Sequence, residues 1–233
     1  MAGMMYLGNQ KVTPVIIQGG GSEPTGCAFV VPDNVTEIST NSLFSWLYGQ
    51  QFPYDVKIDL NNLETVSGRD VFSNAFVNIN ITSLNEKIKT ISGNGAFATA
   101  FGYSTIPEES TLFETLESVT DSGFTTCFFS SKGKETFRFT SLSYIGVQAF
   151  NMCFYSSVVK HIYFNSLTSS SFADDPYSPG HPDRVFIDML MSVDGCTVHF
   201  PSNLESVIGT GSEVLGGFSG TNTTVLFDLP ATE

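Results

Sequence analysis

Charged side chains are scarce in this 233-residue sequence, and basic ones are scarcest. Charged residues make up 14% of the chain, against about a quarter in an average soluble domain. Only 10 residues are Lys or Arg against 23 Asp or Glu, which gives a formal net charge of −13, and no Lys or Arg follows Arg184. Because phosphate backbones and anionic membrane surfaces repel such a chain, we expect no nucleic-acid partner and no membrane-surface partner.

Long apolar runs and cysteines are also few. No run reaches the roughly 18 residues that a membrane-spanning helix requires, so we expect no membrane insertion. Residues 1–8 lack the basic and apolar regions of a signal peptide, which predicts synthesis and assembly in a cytoplasm. The 4 cysteines are too few for a disulfide framework and lack zinc-finger spacing, so reduced thiols and no metal site are expected.

Phenylalanine, by contrast, is abundant and periodic, with 21 copies. A five-residue pattern, Phe-x-x-(small or apolar)-aromatic, recurs along the chain at intervals of 25 to 28 residues. Its leading residues are Phe44, Phe72, Phe97, Phe124 and Phe150. Aliphatic residues keep the same register five or six and eight or nine positions before each leading Phe. A fixed period of this length predicts stacked structural repeats.

Short alternating apolar runs lie between several copies of the pattern. They occupy residues 56–58, 79–81, 137–139, 162–164, 198–200 and 225–227. Alternation with period two indicates a short strand with one buried face, and no stretch shows a sustained helical stripe. Stacking such units buries their apolar faces together. We therefore predict a mostly β solenoid of short parallel strands with single-turn helices or loops, and one short strand in each repeat.

The interior of this solenoid is predicted to be a ladder of the five leading Phe residues together with Cys127 and Cys153. These two cysteines are 26 residues apart and should lie on adjacent turns. Disulfide geometry is compatible with that spacing. Stacked free thiols are equally compatible, and cytoplasmic assembly favours them.

The periodic pattern also divides the chain. Residues 1–33 are predicted to be an N-terminal attachment segment with a Gly-rich linker, and residues 34–233 the solenoid. Within the solenoid, residues 168–197 are expected to form an irregular Pro-rich loop and residues 198–233 a closing repeat. An apolar strand before a Gly-rich break suits pairing with the edge of a partner's sheet, whereas capping of the first repeat is an equally compatible alternative. The predicted attachment residues are Tyr6, Leu7, Lys11, Val12, Pro14 and Ile16.

One repeat carries a resemblance to a known family. Residues 142–153 read Leu-Ser-Tyr-Ile-Gly-Val-Gln-Ala-Phe-Asn-Met-Cys, which resembles the Leu-x-x-Ile-Gly-x-x-Ala-Phe-x-x-Cys pattern of the BspA-type leucine-rich-repeat family. Residues 116–127 match less closely, since their Gly falls beside the Phe, and earlier copies replace the Cys with Leu or Ala. The resemblance covers residues 35–167 and continues weakly to 230. It implies a leucine-rich-repeat-like solenoid that serves as a binding scaffold.

Two further segments resemble parts of structural proteins of tailed bacteriophages. Residues 5–15 are similar to a short Tyr-Leu-Gly-Asn-x-Lys-Val opening of virion fibre-like and tail-associated proteins. Residues 196–204 and 220–230 resemble the ending of repeat proteins that such phages encode. The resemblance implies a homo-oligomeric virion protein, assembled in the host bacterial cytoplasm, with capsid, tail or fibre subunits as partners.

Catalytic and metal-binding patterns do not stand out. The three His residues come with no Gly-x-Ser-x-Gly elbow, and no calcium-binding motif surrounds Asp174, Asp175 and Asp183. Glycoside hydrolysis requires two carboxylates across a cleft. The adjacent pair Glu108 and Glu109 is more typical of a solvated turn. We therefore predict that the protein is not an enzyme and takes no cofactor and no metal.

The sequence thus favours a fibre, decoration protein or tail-associated adhesin that presents its solenoid to a glycan or protein of the host surface. A virion-associated polysaccharide-degrading enzyme and a bacterial surface adhesin are the alternatives. No host-binding residues can be assigned. Exposed aromatic residues are compatible with sugar stacking and equally with an ordinary surface; they are Tyr103, Tyr155, Tyr163 and Tyr177.

Overall fold

The chain coils into a solenoid in which strands of successive turns lie side by side in parallel. The computed structural model describes residues 5–7, 10–12, 15–18, 24–47, 55–172, 185–208 and 218–232. Its strands are β1 (Met5–Leu7), β2 (Gln10–Val12), β3 (Val15–Gln18), β4 (Pro24–Val30), β5 (Glu37–Ile38), β6 (Val56–Asp59), β7 (Thr65–Val66), β8 (Ile81–Asn85), β9 (Thr90–Ile91), β10 (Ser118–Val119), β11 (Thr136–Phe139), β12 (Tyr144–Ile145), β13 (His161–Phe164), β14 (Thr197–Pro201) and β15 (Thr224–Leu229). The predicted mostly β solenoid is confirmed.

Helical structure is limited to single turns in the described residues. The α-helix α1 (Glu205–Ile208) is four residues long, and 3₁₀ turns occupy Ser45–Leu47 and Ser202–Leu204. None of the helices that the structure describes is long and apolar enough to cross a membrane. This agrees with the absence of a helical stripe in the sequence.

One side of the solenoid is a narrow sheet of two-residue strands in the order β12-β10-β9-β7-β5, all parallel. The second residue of each strand is buried, and these residues are Ile38, Val66, Ile91, Val119 and Ile145. They are the aliphatic positions that precede each leading Phe. Most repeats thus contain a second strand, and the expectation of one strand per repeat was wrong. The sequence did not reveal these strands because two residues are too few to show an alternating pattern.

A second side carries two wider sheets, in the orders β3-β4-β6-β8 and β11-β13-β14-β15. The strands of both sheets are parallel, except that β3 runs antiparallel to β4. In β11 the side chains alternate, with Phe137 and Phe139 buried and Arg138 exposed. Between β8 and β11 the chain makes one turn without a strand on this side, and only isolated bridges at Thr105 connect the neighbouring turns.

The third side is a stack of bend ribbons, in which consecutive β-turns overlap. The Cys127 N–H donates to the Phe124 carbonyl three residues back (3.0 Å), whereas the Phe128 N–H donates to the Cys153 carbonyl of the next turn (2.8 Å). This alternation repeats along each ribbon. It requires a left-handed backbone at regular intervals, as in Met152, where φ is 50°. The backbone groups are thus satisfied without a helix.

The predicted ladder lies in the interior. The leading residues Phe44, Phe72, Phe97, Phe124 and Phe150 are all fully buried. Neighbouring rings on successive turns have centroids 4.9 to 6.0 Å apart, within the range of favourable aromatic pairs. Cys127 and Cys153 are buried free thiols in the same core. A continuous apolar ladder of this kind couples every turn to the next.

The N-terminal end of the chain differs from the regular turns. β1 and β2 form a separate antiparallel hairpin, whereas β3 pairs with β4 at the edge of the first wide sheet. The predicted attachment residues are distributed as follows: Tyr6 and Leu7 in β1, Lys11 and Val12 in β2, and Ile16 in β3. Pro14 lies outside the described residues.

The segment predicted to be irregular is regular in its second half. Residues 185–192 form a bend ribbon whose carbonyls accept from the preceding turn, as when Met152 N–H donates to the Ile187 carbonyl (2.9 Å). Phe186 continues the ladder 6.0 Å from Phe150. The sequence pattern did not reveal this copy, because residues 173–184, which lie outside the described residues, lengthen the interval between Phe150 and Phe186. In the closing region 198–233, β15 is the last strand beside β14.

Candidate functional site

The turn between β8 and β11 that has no strand in the wide sheets, called the strand-less turn below, lines a polar cavity at its loop. Residues 107–116 form a loop where a strand would be expected between β8 and β11, and Pro107 provides no N–H for a ladder. Elsewhere on this side, strands pair their N–H and carbonyl groups with neighbouring turns. In the loop, charged side chains from the preceding and following turns bind these groups instead.

Glu86 binds the loop from the preceding turn. Its Oε2 accepts from the Ile88 N–H and its Oε1 from the Phe113 N–H, both at 2.7 Å. The side chain is buried, and this burial raises the pKa of Glu86 to about 7. The two N–H donors lower the pKa by a smaller amount, whereas the charge of nearby Glu114 raises it. Both carboxyl oxygens therefore accept hydrogen bonds from backbone N–H groups, so Glu86 has a structural role.

Lys134 binds the loop from the following turn. Its Nζ donates to the carbonyls of Glu108 (3.0 Å) and Ser110 (2.6 Å), and it lies 5.5 Å from the centre of the Phe137 ring. Burial lowers the pKa of Lys134, and the negative charges of Glu108 and Glu114 oppose that effect. The loop is thus fixed on both sides by buried ionisable groups.

A cavity of about 270 Å³ remains where the strand is missing. The loop lines one side with Glu108, Glu109, Ser110 and Glu114, and the next turn lines the other with Lys134, Thr136 and Arg138. The Glu135 N–H donates to Glu108 Oε2. Within the described part of the chain, the side chains of Glu109 and Glu114 form no hydrogen bond or ion pair, and the buried Ser110 hydroxyl has no partner. The cavity thus holds polar groups with bonding capacity to spare.

The outer face of the second wide sheet continues from this cavity. Arg138, Tyr163 and His199 are in register on β11, β13 and β14. The Arg138 guanidinium carbon lies 4.1 Å from the centre of the Tyr163 ring, and the His199 ring stacks on Tyr163 at 4.1 Å with an interplanar angle of 7°. Because its neighbours lie on adjacent strands to either side, Tyr163 offers no free face to a sugar ring. It instead holds the Arg138 guanidinium in place.

His199 is in turn fixed by its neighbours. Its Nδ1 lies 3.0 Å from both carboxyl oxygens of Asp228, and its Nε2 lies 3.4 Å from Nδ1 of His161. We assign the Nδ1 proton to the bond with Asp228, which leaves Nε2 as an acceptor toward His161. His161, His199 and Asp228 therefore form a hydrogen-bonded network across the strands. His181 lies outside the described residues.

The bend-ribbon side carries a separate aromatic row. Tyr103 packs edge-on against Phe129 (4.8 Å), and Phe129 stacks on Tyr155 (5.0 Å). Tyr103 is 53% exposed, so this row presents aromatic surface to solvent. It is a second candidate for contact with a ligand. Tyr177 lies outside the described residues.

Metal and nucleophile chemistry receives no support from the residues that the structure describes. Among them, no three His, Cys, Asp or Glu side chains are grouped so as to hold a metal ion. Asp174, Asp175 and Asp183 lie outside those ranges. Burial raises the pKa of Cys127 and Cys153 well above the ordinary value, with Cys153 adding to the effect on Cys127. A buried thiol of this kind is a weak nucleophile.

Sequence reasoning found some of these residues but not their arrangement. It noted Glu108 and Glu109 as a pair in a turn, and it did not single out Glu86, Lys134 or Arg138. A signal was present, since the alternating run that separates other copies is missing between Phe101 and Leu116 and Pro107 lies there instead. A missing strand in a stacked sheet predicts a depression in the surface.

Comparison with known proteins supplies no identity for this chain. No protein-family model, no curated protein and no solved structure matches it. Its function is therefore inferred from its own residues and geometry.

Proposed function

We propose that this protein is a non-enzymatic structural component of a bacteriophage particle, a fibre, decoration protein or tail-associated adhesin, that attaches the particle to the host surface. The observation that carries the proposal is the cavity at the strand-less turn, where polar groups with free bonding capacity open from a rigid scaffold. Fixed groups of this kind are suited to binding. The partner is a glycan or protein of the host surface.

The solenoid suits this role physically. Its interior ladder runs through successive turns, so outer side chains are held at fixed spacings by a core that does not depend on them. Such a surface can vary without loss of the fold. Repeated copies on a particle would also add weak contacts into avid attachment, which fits the proposed homo-oligomer.

The N-terminal strands supply a means of attachment to the particle. β3 is part of the first wide sheet and caps its edge, whereas the β1–β2 hairpin is separate from the solenoid sheets in the described residues. We assign attachment to other virion proteins to this hairpin, which contains Tyr6, Leu7, Lys11 and Val12. The resemblance of residues 5–15 to virion proteins supports the assignment.

Immunological detection tests the location. Antibodies raised against the purified protein are applied to particles that have been separated by density gradient from the producing culture. The proposal predicts that the protein sediments with the particles and that gold-labelled antibody marks them. Detection only in the envelope of uninfected cells would instead identify a bacterial surface adhesin.

Deletion of residues 1–12 tests attachment. Since the hairpin is separate from the solenoid sheets, we expect an unchanged thermal midpoint and loss of the protein from particles. Deletion of residues 1–18 is the matched comparison, because it also removes β3 and should lower the midpoint. Full incorporation of the protein that lacks residues 1–12 would contradict the assignment.

A depolymerisation assay separates binding from hydrolysis. The purified protein is incubated with host capsular or cell-wall polysaccharide, and reducing ends are measured alongside binding to the same polymer. We expect retention of the polymer without new reducing ends. Release of reducing ends would establish the polysaccharide-degrading alternative, for which two opposed carboxylates are required.

A further inference from the structure

The cavity at the strand-less turn has a composition that identifies the class of ligand it can take. Three carboxylates, from Glu108, Glu109 and Glu114, face the ammonium of Lys134 and the guanidinium of Arg138 across about 270 Å³. This volume lies just below the roughly 300–1,000 Å³ of sites for drug-sized ligands, and it suits one small ring. We propose that it binds a single neutral sugar residue of a host glycan.

Charge excludes the two other classes of polar ligand. A cationic ligand would approach the carboxylates but would be desolvated beside Lys134 and Arg138. An anionic ligand would approach Arg138 but would meet three carboxylates in a protein of net charge −13. A neutral ligand avoids both penalties, so it can use the charged groups only as hydrogen-bond partners.

Hydroxyl groups match the free donors and acceptors on the two walls. The carboxylates of Glu109 and Glu114 are acceptors without partners among the described residues, whereas Arg138 and Thr136 provide donors. A sugar hydroxyl donates to a carboxylate and accepts from a guanidinium at the same time. Vicinal hydroxyls of one ring can therefore bridge the two walls.

The site is held in place before any ligand binds. The Arg138 guanidinium lies against Tyr163, which stacks on His199, which is bound to Asp228. On the opposite wall, Glu86 and Lys134 fix the loop backbone. Preorganised groups lose less conformational entropy on binding, which favours a small ligand of few contacts.

Ser110 provides a further independent observation. It lines the cavity, it is only 8% exposed, and its hydroxyl has no hydrogen-bond partner in the described part of the chain. Buried hydroxyls are normally paired, so a lone one beside a polar cavity indicates a missing partner. A hydroxyl of the ligand, or a water molecule bound to the ligand, would supply a hydrogen-bond partner for Ser110.

This inference rests on the proposed function but can be tested apart from it. Saturation-transfer NMR and calorimetry with free glucose, galactose, mannose and N-acetylglucosamine probe the cavity directly. Glucosamine and glucuronic acid serve as charged rings of the same size. We expect at least one neutral sugar to bind at millimolar concentration and both charged rings to bind about tenfold more weakly.

Two matched pairs of variants locate the site. Arg138→Lys removes the planar fork and Glu114→Gln removes the charge without changing size, and each should weaken neutral-sugar binding about tenfold. Arg69→Lys and Glu117→Gln are the controls, because both residues are exposed and do not line the cavity. A thermal midpoint within error of the wild type shows that each variant is folded.

The outcomes separate this inference from the proposed function. Tighter binding of a charged ring, no binding of any neutral sugar, or equal binding by the cavity and control variants would overturn the cavity assignment. If the protein still retained host polysaccharide and antibody against it still labelled particles, the proposed function would stand and the binding surface would lie elsewhere. If a neutral sugar bound in the cavity but the protein was absent from particles, the virion role would fall instead.

Discussion

Two consecutive turns of the solenoid differ on one side only. The turn that contains β11 pairs its backbone with β13 over four residues, from Thr136 opposite His161 to Phe139 opposite Phe164. In the preceding turn, the loop 107–116 has no strand, and side chains from both neighbouring turns bind its backbone. On the ribbon side the two turns are alike, with Phe97 and Phe124 at equivalent buried positions. A repeat can thus lose one strand and keep its core.

The difference shows how a break in a repeat becomes a site. Backbone groups that lose their strand partners must find others, because an unpaired buried N–H or carbonyl is costly. Glu86 and Lys134 meet that need, at the cost of burying ionisable groups. The space that the strand would have filled is the cavity. The same local change therefore produces both the polar cavity and the burial of the ionisable side chains of Glu86 and Lys134.

The largest effect on the free energy of unfolding is expected at a ladder ring through which the two turns are in contact. Phe124 lies in the turn that contains β11, with its ring centroid 4.6 Å from Phe113 of the strand-less turn and 5.4 Å from Phe150 of the next turn. Phe124→Ala should lower the free energy of unfolding by about 3–5 kcal/mol, as for other emptied aromatic sites. Chemical denaturation measures this. Tyr103→Ala, at a 53% exposed position, is the control, and a loss below about 1 kcal/mol at Phe124 would refute the ladder register.

The second effect is a pH dependence of stability that comes from Glu86, which binds the strand-less turn from the preceding one. Burial raises the pKa of Glu86 from its ordinary 4.5 to about 7, so the folded state favours the neutral carboxyl. Its contribution to stability is complete below about pH 4.5 and is lost as the pH rises to about 7, roughly 3 kcal/mol in total. Glu86→Gln removes this titration.

Unfolding of the wild type and of Glu86→Gln across this pH range isolates the effect. The amide also loses one acceptor for the two backbone N–H donors, but that loss is the same at every pH. The difference between the two proteins should therefore change with pH. Parallel profiles would show that the pKa of Glu86 is the same in the folded and the unfolded protein.

A third effect concerns the other side of the loop. Lys134→Met keeps the length of the buried stem but leaves the carbonyls of Glu108 and Ser110 without their donor. We expect a loss of about 1–3 kcal/mol in the free energy of unfolding, measured in urea. Lys87→Met is the control, since Lys87 is exposed and, among the residues that the structure describes, its ammonium binds only the Asn62 side chain; its change should stay within about 0.5 kcal/mol. Equal effects would mean that water satisfies the loop carbonyls.

The same contrast explains what the sequence could and could not predict. The interior is periodic, because Phe97 and Phe124 must meet equivalent neighbours on every turn, and a period can be recognised without a structure. The strands of the narrow sheet were missed because two residues carry no alternation. The cavity was missed because its lining comes from two turns, with Glu114 and Lys134 far apart in sequence, and because Glu86 binds the loop from a third turn. Their meeting depends on which turn lacks a strand, and only the assembled stack determines that.

The smallest effect tests the feature that both turns retain, the bend ribbon. Met152, on the following turn, has a left-handed backbone, with φ at 50°, at the position that Thr99 and Thr126 hold in the two compared turns, where φ is 54° and 51°. A side chain other than Gly or Asn is strained there, because Cβ approaches the following carbonyl. Met152→Asn should therefore be more stable than Met152→Ala by less than about 1 kcal/mol, since both shorten the side chain but Asn tolerates this conformation. Thermal unfolding of the two variants measures the difference. An advantage for Ala would indicate a right-handed backbone at this position, and the overlapping turns of the ribbon would then need a different hydrogen-bond pattern on this side of the solenoid.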